Sequence, residues 1–68
     1  MVQLEQLKTR MKDSGMTMTS IADKMGITRG TLYNRLDGSS EFKVSEIVSL
    51  ARLLHLSDKE RNTIFFEM

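Results

Sequence analysis

Apolar residues recur along the chain at intervals of three and four, the helical period, and no convincing strand-type alternation competes with it. Leu4, Leu7 and Met11 predict a first helix over about 3–13, and Gly15 supplies the left-handed backbone that commonly ends one. Thr17 is a good N-cap for a second helix with Ile21, Ala22 and Met25 on its inner face, stopped at Gly26. Thr28 opens a third helix through about Leu36, and Asp37-Gly38-Ser39-Ser40 is a turn cluster. From about Val44 to Leu54 the amphipathic pattern is clearest: Val44, Ile47, Val48, Ala51 and Leu54 line one face, with Leu50 at its margin. Ser57-Asp58-Lys59-Glu60 matches a capping box and begins a short fifth helix ending near Ile64, Phe65 and Phe66. The pattern predicts an all-α domain of five short helices covering residues 1–68.

Length and composition narrow the function. Sixty-eight residues suffice for one domain, and with no cysteine neither a disulfide framework nor a thiolate metal site holds it, so packing must. No apolar run approaches the roughly 20 residues that span a bilayer, and the N-terminus lacks a signal peptide's apolar stretch. A soluble cytoplasmic protein without membrane association is the expectation. His55 is the only histidine, near the end of the fourth helix, and no second metal ligand or Ser/His/Asp arrangement accompanies it. No Gly-rich phosphate loop is present. The methionines read as core fillers. Neither an enzyme nor a cofactor is expected. The net charge of +1 gives nucleic acid only weak support, with seven basic against five acidic residues before position 44 and three against four after it.

The informative stretch is Thr17–Leu36, TMTSIADKMGITRGTLYNRL. Ala22 is small where two helices would approach most closely, and Gly26, four residues on, takes the positive φ of a tight turn. Ile27 plugs that turn, while Ile21, Met25, Leu32 and Leu36 form an apolar underside. Arg29, Gly30, Tyr33 and Asn34 are left on one outward stripe of the second helix. A helix lying in the major groove presents base-reading residues there. Arg29 suits guanine, Asn34 suits adenine, and Tyr33 can touch a thymine methyl or a phosphate.

The stretch resembles the helix-turn-helix of the phage repressor and Cro family, through Thr17, Ile21, Ala22, Gly26, Ile27, Thr28, Leu32 and Leu36 in register. Phe42-Lys43-Val44-Ser45-Glu46-Ile47 and Leu50-Ala51-Arg52-Leu53-Leu54 resemble that family's fourth helix, so the likeness covers roughly residues 4–56. It implies a compact five-helix, lambda-repressor-like domain that acts as a Cro-like or repressor-like transcriptional regulator of phage or prophage origin. The implied base contacts are Arg29, Gly30, Tyr33 and Asn34. The implied phosphate contacts are Met18, Thr19 and Thr28, with Lys43 before the fourth helix and Arg35, one residue past the stripe, as further candidates.

Three departures from the family qualify the resemblance. Gly30 stands where a polar reader is usual, and a mid-helix glycine costs about 1 kcal/mol against alanine, yet it would let the backbone approach DNA closely. Met18 replaces a frequent glutamine. Met11 and Leu36 fall where some members pair an arginine with a glutamate, which predicts an apolar contact free of buried charge. Ile64, Phe65 and Phe66 either fold back against the first helix or supply a two-fold contact. A homodimer on two half-sites of double-stranded operator DNA is expected, the alternative being a helical module that docks on a partner regulator protein.

Overall fold

The computed structural model describes residues 2–67, which form helices and connecting turns with no strand among them. The elements are α1 (Leu4–Asp13), α2 (Met18–Met25), α3 (Arg29–Leu36), α4 (Val44–Leu53) and α5 (Asp58–Arg61). The last runs directly into a π-helical turn over Asn62–Phe66. Local chemistry sets most of these boundaries. The Thr17 and Thr28 hydroxyls each accept an N–H three residues on, from Ser20 and Thr31, both at 3.1 Å. Ser57 and Glu60 complete the expected capping box, each accepting the other's backbone N–H.

One core joins α1 to α4 and the π-helical turn. Leu7 and Met11 of α1, Ile21 and Ala22 of α2, and Leu32 and Leu36 of α3 are buried with Ile47, Leu50 and Leu54, and with Ile64 and Phe65. Met11 and Leu36 share this cluster and line one surface depression with Ile21 and Met18, in keeping with the apolar pairing expected of them. The two ends of the chain meet. Gln3 donates its backbone N–H to the Ile64 carbonyl at 2.6 Å, and Arg10 of α1 is paired with Glu60 of α5. Phe65 packs its ring edge-on against Phe42, centroids 5.5 Å apart, while Phe66 stays 44% exposed. The two phenylalanines therefore divide between core and surface.

The inner face of α4 differs from the one its apolar residues predict. Leu50, expected at the margin, is fully buried, and the buried set is Glu46, Ile47, Leu50 and Ala51. Val44 is 72% exposed and Val48 44% exposed. Ile47, Ala51 and Leu54 stay buried as the periodicity predicts, and the face shifts away from the valines toward Glu46, whose carboxylate is bonded by Arg35 of α3. His55 ends α4 with φ +54, in the left-handed place that glycine usually fills. The N–H of the next residue, Leu56, returns to the Ala51 carbonyl at 2.9 Å.

Candidate nucleic-acid interface

Helices α2 and α3 pack against each other across a turn of three residues, Gly26 to Thr28. The turn is compact because Gly26, at φ +75, lets the Ile27 N–H close onto the Ala22 carbonyl at 3.0 Å. Ala22 is buried beside it, and Ile27 packs against the core as a plug. On α3, Leu32 and Leu36 face inward, and Arg29, Gly30, Tyr33 and Asn34 are all exposed. The predicted reading stripe is therefore solvent-facing and anchored from beneath.

Within the stripe the Arg29 guanidinium carbon lies 5.6 Å from the centre of the Tyr33 ring. This cation–π contact shelves the charged group on the helix without neutralising it. No carboxylate pairs with Arg29 or Lys43 among the described residues. Helix α3, RGTLYNRL, carries no acidic residue at all. Gly30 sits in ordinary helical conformation, and a Cβ there would meet only the Thr28 hydroxyl, at 3.9 Å. Nothing inside the fold requires glycine at this position.

The first turns of α2 and α3 contain no acidic residue, whereas those of α1, α4 and α5 each contain at least one. A helix N-terminus carries a partial positive charge and unpaired N–H groups, which acidic side chains usually offset. Here the Thr17 and Thr28 hydroxyls cap one N–H each but no acidic side chain offsets the positive end, and α3 places Arg29 there, against the local preference. Thr19 and Thr28 are exposed at these ends. Met18 is half-buried with its side chain against the core, so only its backbone could serve a phosphate. Lys43 is exposed at the N-cap of α4.

Arg35 occupies a different setting from the other named residues. Its Nε donates to Glu46 Oε1 at 2.8 Å, its Nη2 to Glu46 Oε2 at 3.1 Å, and its Nη1 to the Ser40 hydroxyl at 2.6 Å. The side chain is only 13% exposed. The hydrogen bonds from Arg35, foremost, and the Lys43 N–H hold the Glu46 carboxyl below its ordinary range despite burial. The resemblance implies that Arg35 faces a phosphate, but here its fork is filled from within the protein. Glu46 itself escapes sequence reasoning. Its position three residues after Lys43 resembles half a capping box, but lysine cannot accept the return bond, so the pattern loses its usual mark.

No group of three or more His, Cys, Asp or Glu among the described residues could hold a metal ion. No described helix is long and apolar enough to cross a membrane. Among known proteins, a family described as a helix-turn-helix domain matches residues 4–64. No curated protein and no solved structure matches the chain. The match spans both motif helices and the three that support them, and the chain belongs to the helix-turn-helix domain family, an architecture of DNA-binding regulators.

Proposed function

We propose that this protein is a sequence-specific transcriptional regulator of the Cro or repressor kind, from a phage or prophage, binding double-stranded operator DNA. The observation that carries the reading is the pairing of positive helix ends that no acidic residue offsets with an acid-free, exposed stripe on α3. A phosphate is the natural occupant of such helix N-termini. In this reading Thr19, Thr28, the Met18 backbone N–H and the Lys43 ammonium position the duplex, and Arg29, Tyr33 and Asn34 read bases. Gly30 brings the helix backbone close to the groove wall. In this reading Arg35, whose fork is engaged by Glu46 and Ser40, makes no phosphate contact.

The domain acts as a homodimer on DNA. Its longest dimension is 28 Å, whereas successive half-sites lie about 34–36 Å apart along a duplex face. One copy therefore covers one half-site, and two copies related by two-fold symmetry cover a palindrome. Phe66 is the ring left outside the core for such a contact.

Binding to DNA flanking the protein's own gene, titrated against salt, tests the reading with Arg29→Ala/Asn34→Ala beside the wild type. Preference for one fragment, a steep fall in affinity with salt, and loss of that preference in the double variant are expected. Absence of wild-type binding at low salt would overturn it and direct attention to a partner regulator.

A further inference from the structure

Glu46 is the only charged residue buried among the described residues, at 6% exposed, and it centres a network that joins α3, the N-terminus of α4 and the loop between them. From α3 comes the planar fork of Arg35, two parallel N–H groups on two oxygens. From the N-cap of α4 comes the Lys43 backbone N–H, at 3.0 Å on Oε1. The remaining Arg35 nitrogen reaches Ser40 in the intervening loop. Ser40 in turn donates its N–H to the carbonyl of Asn34, at 3.1 Å, and Asp37 donates to that of Tyr33, at 2.9 Å. The backbone carbonyls of two proposed readers are thus tied to the segment that the Arg35 fork holds. No buried side-chain nitrogen or oxygen among the described residues is left without a partner, so the network closes on itself.

We propose that Arg35 and Glu46 form a positioning couple that fixes the reading face of α3 against the N-terminus of α4, setting sequence discrimination without touching DNA. The inference rests on the DNA-binding reading above. Its physical basis is geometric. A buried ion pair commonly adds little stability over a well-packed apolar pair, but a planar fork on a carboxylate admits few relative orientations of the two helices. The other inward side chains of α3, Leu32 and Leu36, meet the core through apolar packing, which lacks such directionality. Through Glu46 one joint aligns two sets of contacts, bases by Tyr33 and Asn34, and a phosphate by Lys43.

The test uses the full chain and a duplex pool with a randomised central segment, from which wild-type protein selects its preferred sequence. Affinity for that sequence and for a scrambled duplex is then measured against salt for wild type, Arg35→Lys and Arg35→Met/Glu46→Leu. Arg35→Lys keeps the charge without the fork, and the double variant replaces the buried pair by apolar groups of similar length. Both variants are expected to keep wild-type helicity and salt slope, and to lose tenfold or more in the ratio of selected to scrambled affinity. A salt slope lowered by about one with the ratio intact would make Arg35 a phosphate contact and overturn the proposal. An unchanged ratio and slope would overturn it as well. Amide exchange of free Arg35→Lys separates this claim from the DNA-binding one. Faster exchange across Leu32–Leu36 with α1 unaffected supports the mechanical couple even if wild type selects no sequence, and unaltered exchange overturns it.

Discussion

The guanidinium of Arg29 rests over the ring of Tyr33, one helical turn further along the exposed face of α3. The ring holds the arginine along the helix while leaving its N–H donors free, which would lower the ordering cost of the bidentate guanine contact proposed for it. Tyr33→Phe keeps this shelf and is expected to hold selectivity within about threefold, because the hydroxyl adds at most one ordinary hydrogen bond. Tyr33→Ala removes the shelf and should weaken binding to the selected sequence by roughly tenfold or more. Both substitutions lie on the surface, so thermal unfolding should shift little. Equal losses in the two variants would show that the hydroxyl, not the ring, matters.

Gly30→Ala separates stability from binding. The position is helical and open, so alanine should stabilise the fold by about 1 kcal/mol. If the α3 backbone approaches the groove at this point, the added methyl weakens DNA binding in the same variant. Urea unfolding and DNA titration on one preparation give both numbers, and increased stability with unchanged affinity would remove Gly30 from the contact surface.

The rotated inner face of α4 is tested by two substitutions two residues apart. Leu50→Ala opens a cavity at a fully buried site and should cost about 3 kcal/mol, a large part of the stability of so small a domain. Val48→Ala removes a side chain nearly half exposed and should cost less than about 1 kcal/mol. Urea midpoints that rank the two in the opposite order would restore the face that apolar periodicity predicts.

Acid should unfold the protein through a small set of carboxylates. Glu46 is held below its ordinary 4.5 by Arg35 and Lys43, and Glu60 below 4.5 by the Ser57 N–H and Arg10. Asp37 is held below 3.8 by Ser39. Each binds a proton less readily in the fold than in the unfolded chain. Their contribution is therefore fully present above about pH 5 and is lost as pH falls through 4.5 and below. Glu46→Gln, which cannot lose this charge, should be less stable at neutral pH and show a shallower decline between pH 5 and 3. Parallel curves for wild type and variant would show that Glu46 titrates alike in both states.

The adjacent phenylalanines should respond in opposite ways. Phe65→Ala removes a ring packed on Phe42 and should cost about 3–5 kcal/mol, enough to threaten folding. Phe66→Ser should leave unfolding nearly unchanged and weaken self-association on DNA, as read by sedimentation with and without a palindromic duplex. A monomeric wild type on that duplex would end the dimer reading.

Much of this protein is written in local sequence. Thr17, Thr28 and Ser57 begin helices, Gly26 makes the turn, and the stripe from Arg29 to Asn34 follows from helical spacing once Leu32 and Leu36 are set inward. These features depend on residues within about one turn of each other, so periodicity and capping chemistry suffice to find them. The joints between helices do not work that way. Arg35 and Glu46 are eleven residues apart, Arg10 and Glu60 fifty, and nothing near either member of each pair marks its partner. Periodicity counts a glutamate as polar and turns it toward water, so it placed Val44 and Val48 inside and Leu50 at the edge. Only the tertiary structure brings a guanidinium to that carboxylate, and with the charge paired, burial of Glu46 becomes tolerable while Val44 and Val48 face outward and Ile47, Ala51 and Leu54 stay inside. Helix positions along the chain were thus local decisions, while the Arg35–Glu46 joint between α3 and α4 is a contact that exists only once the chain has folded.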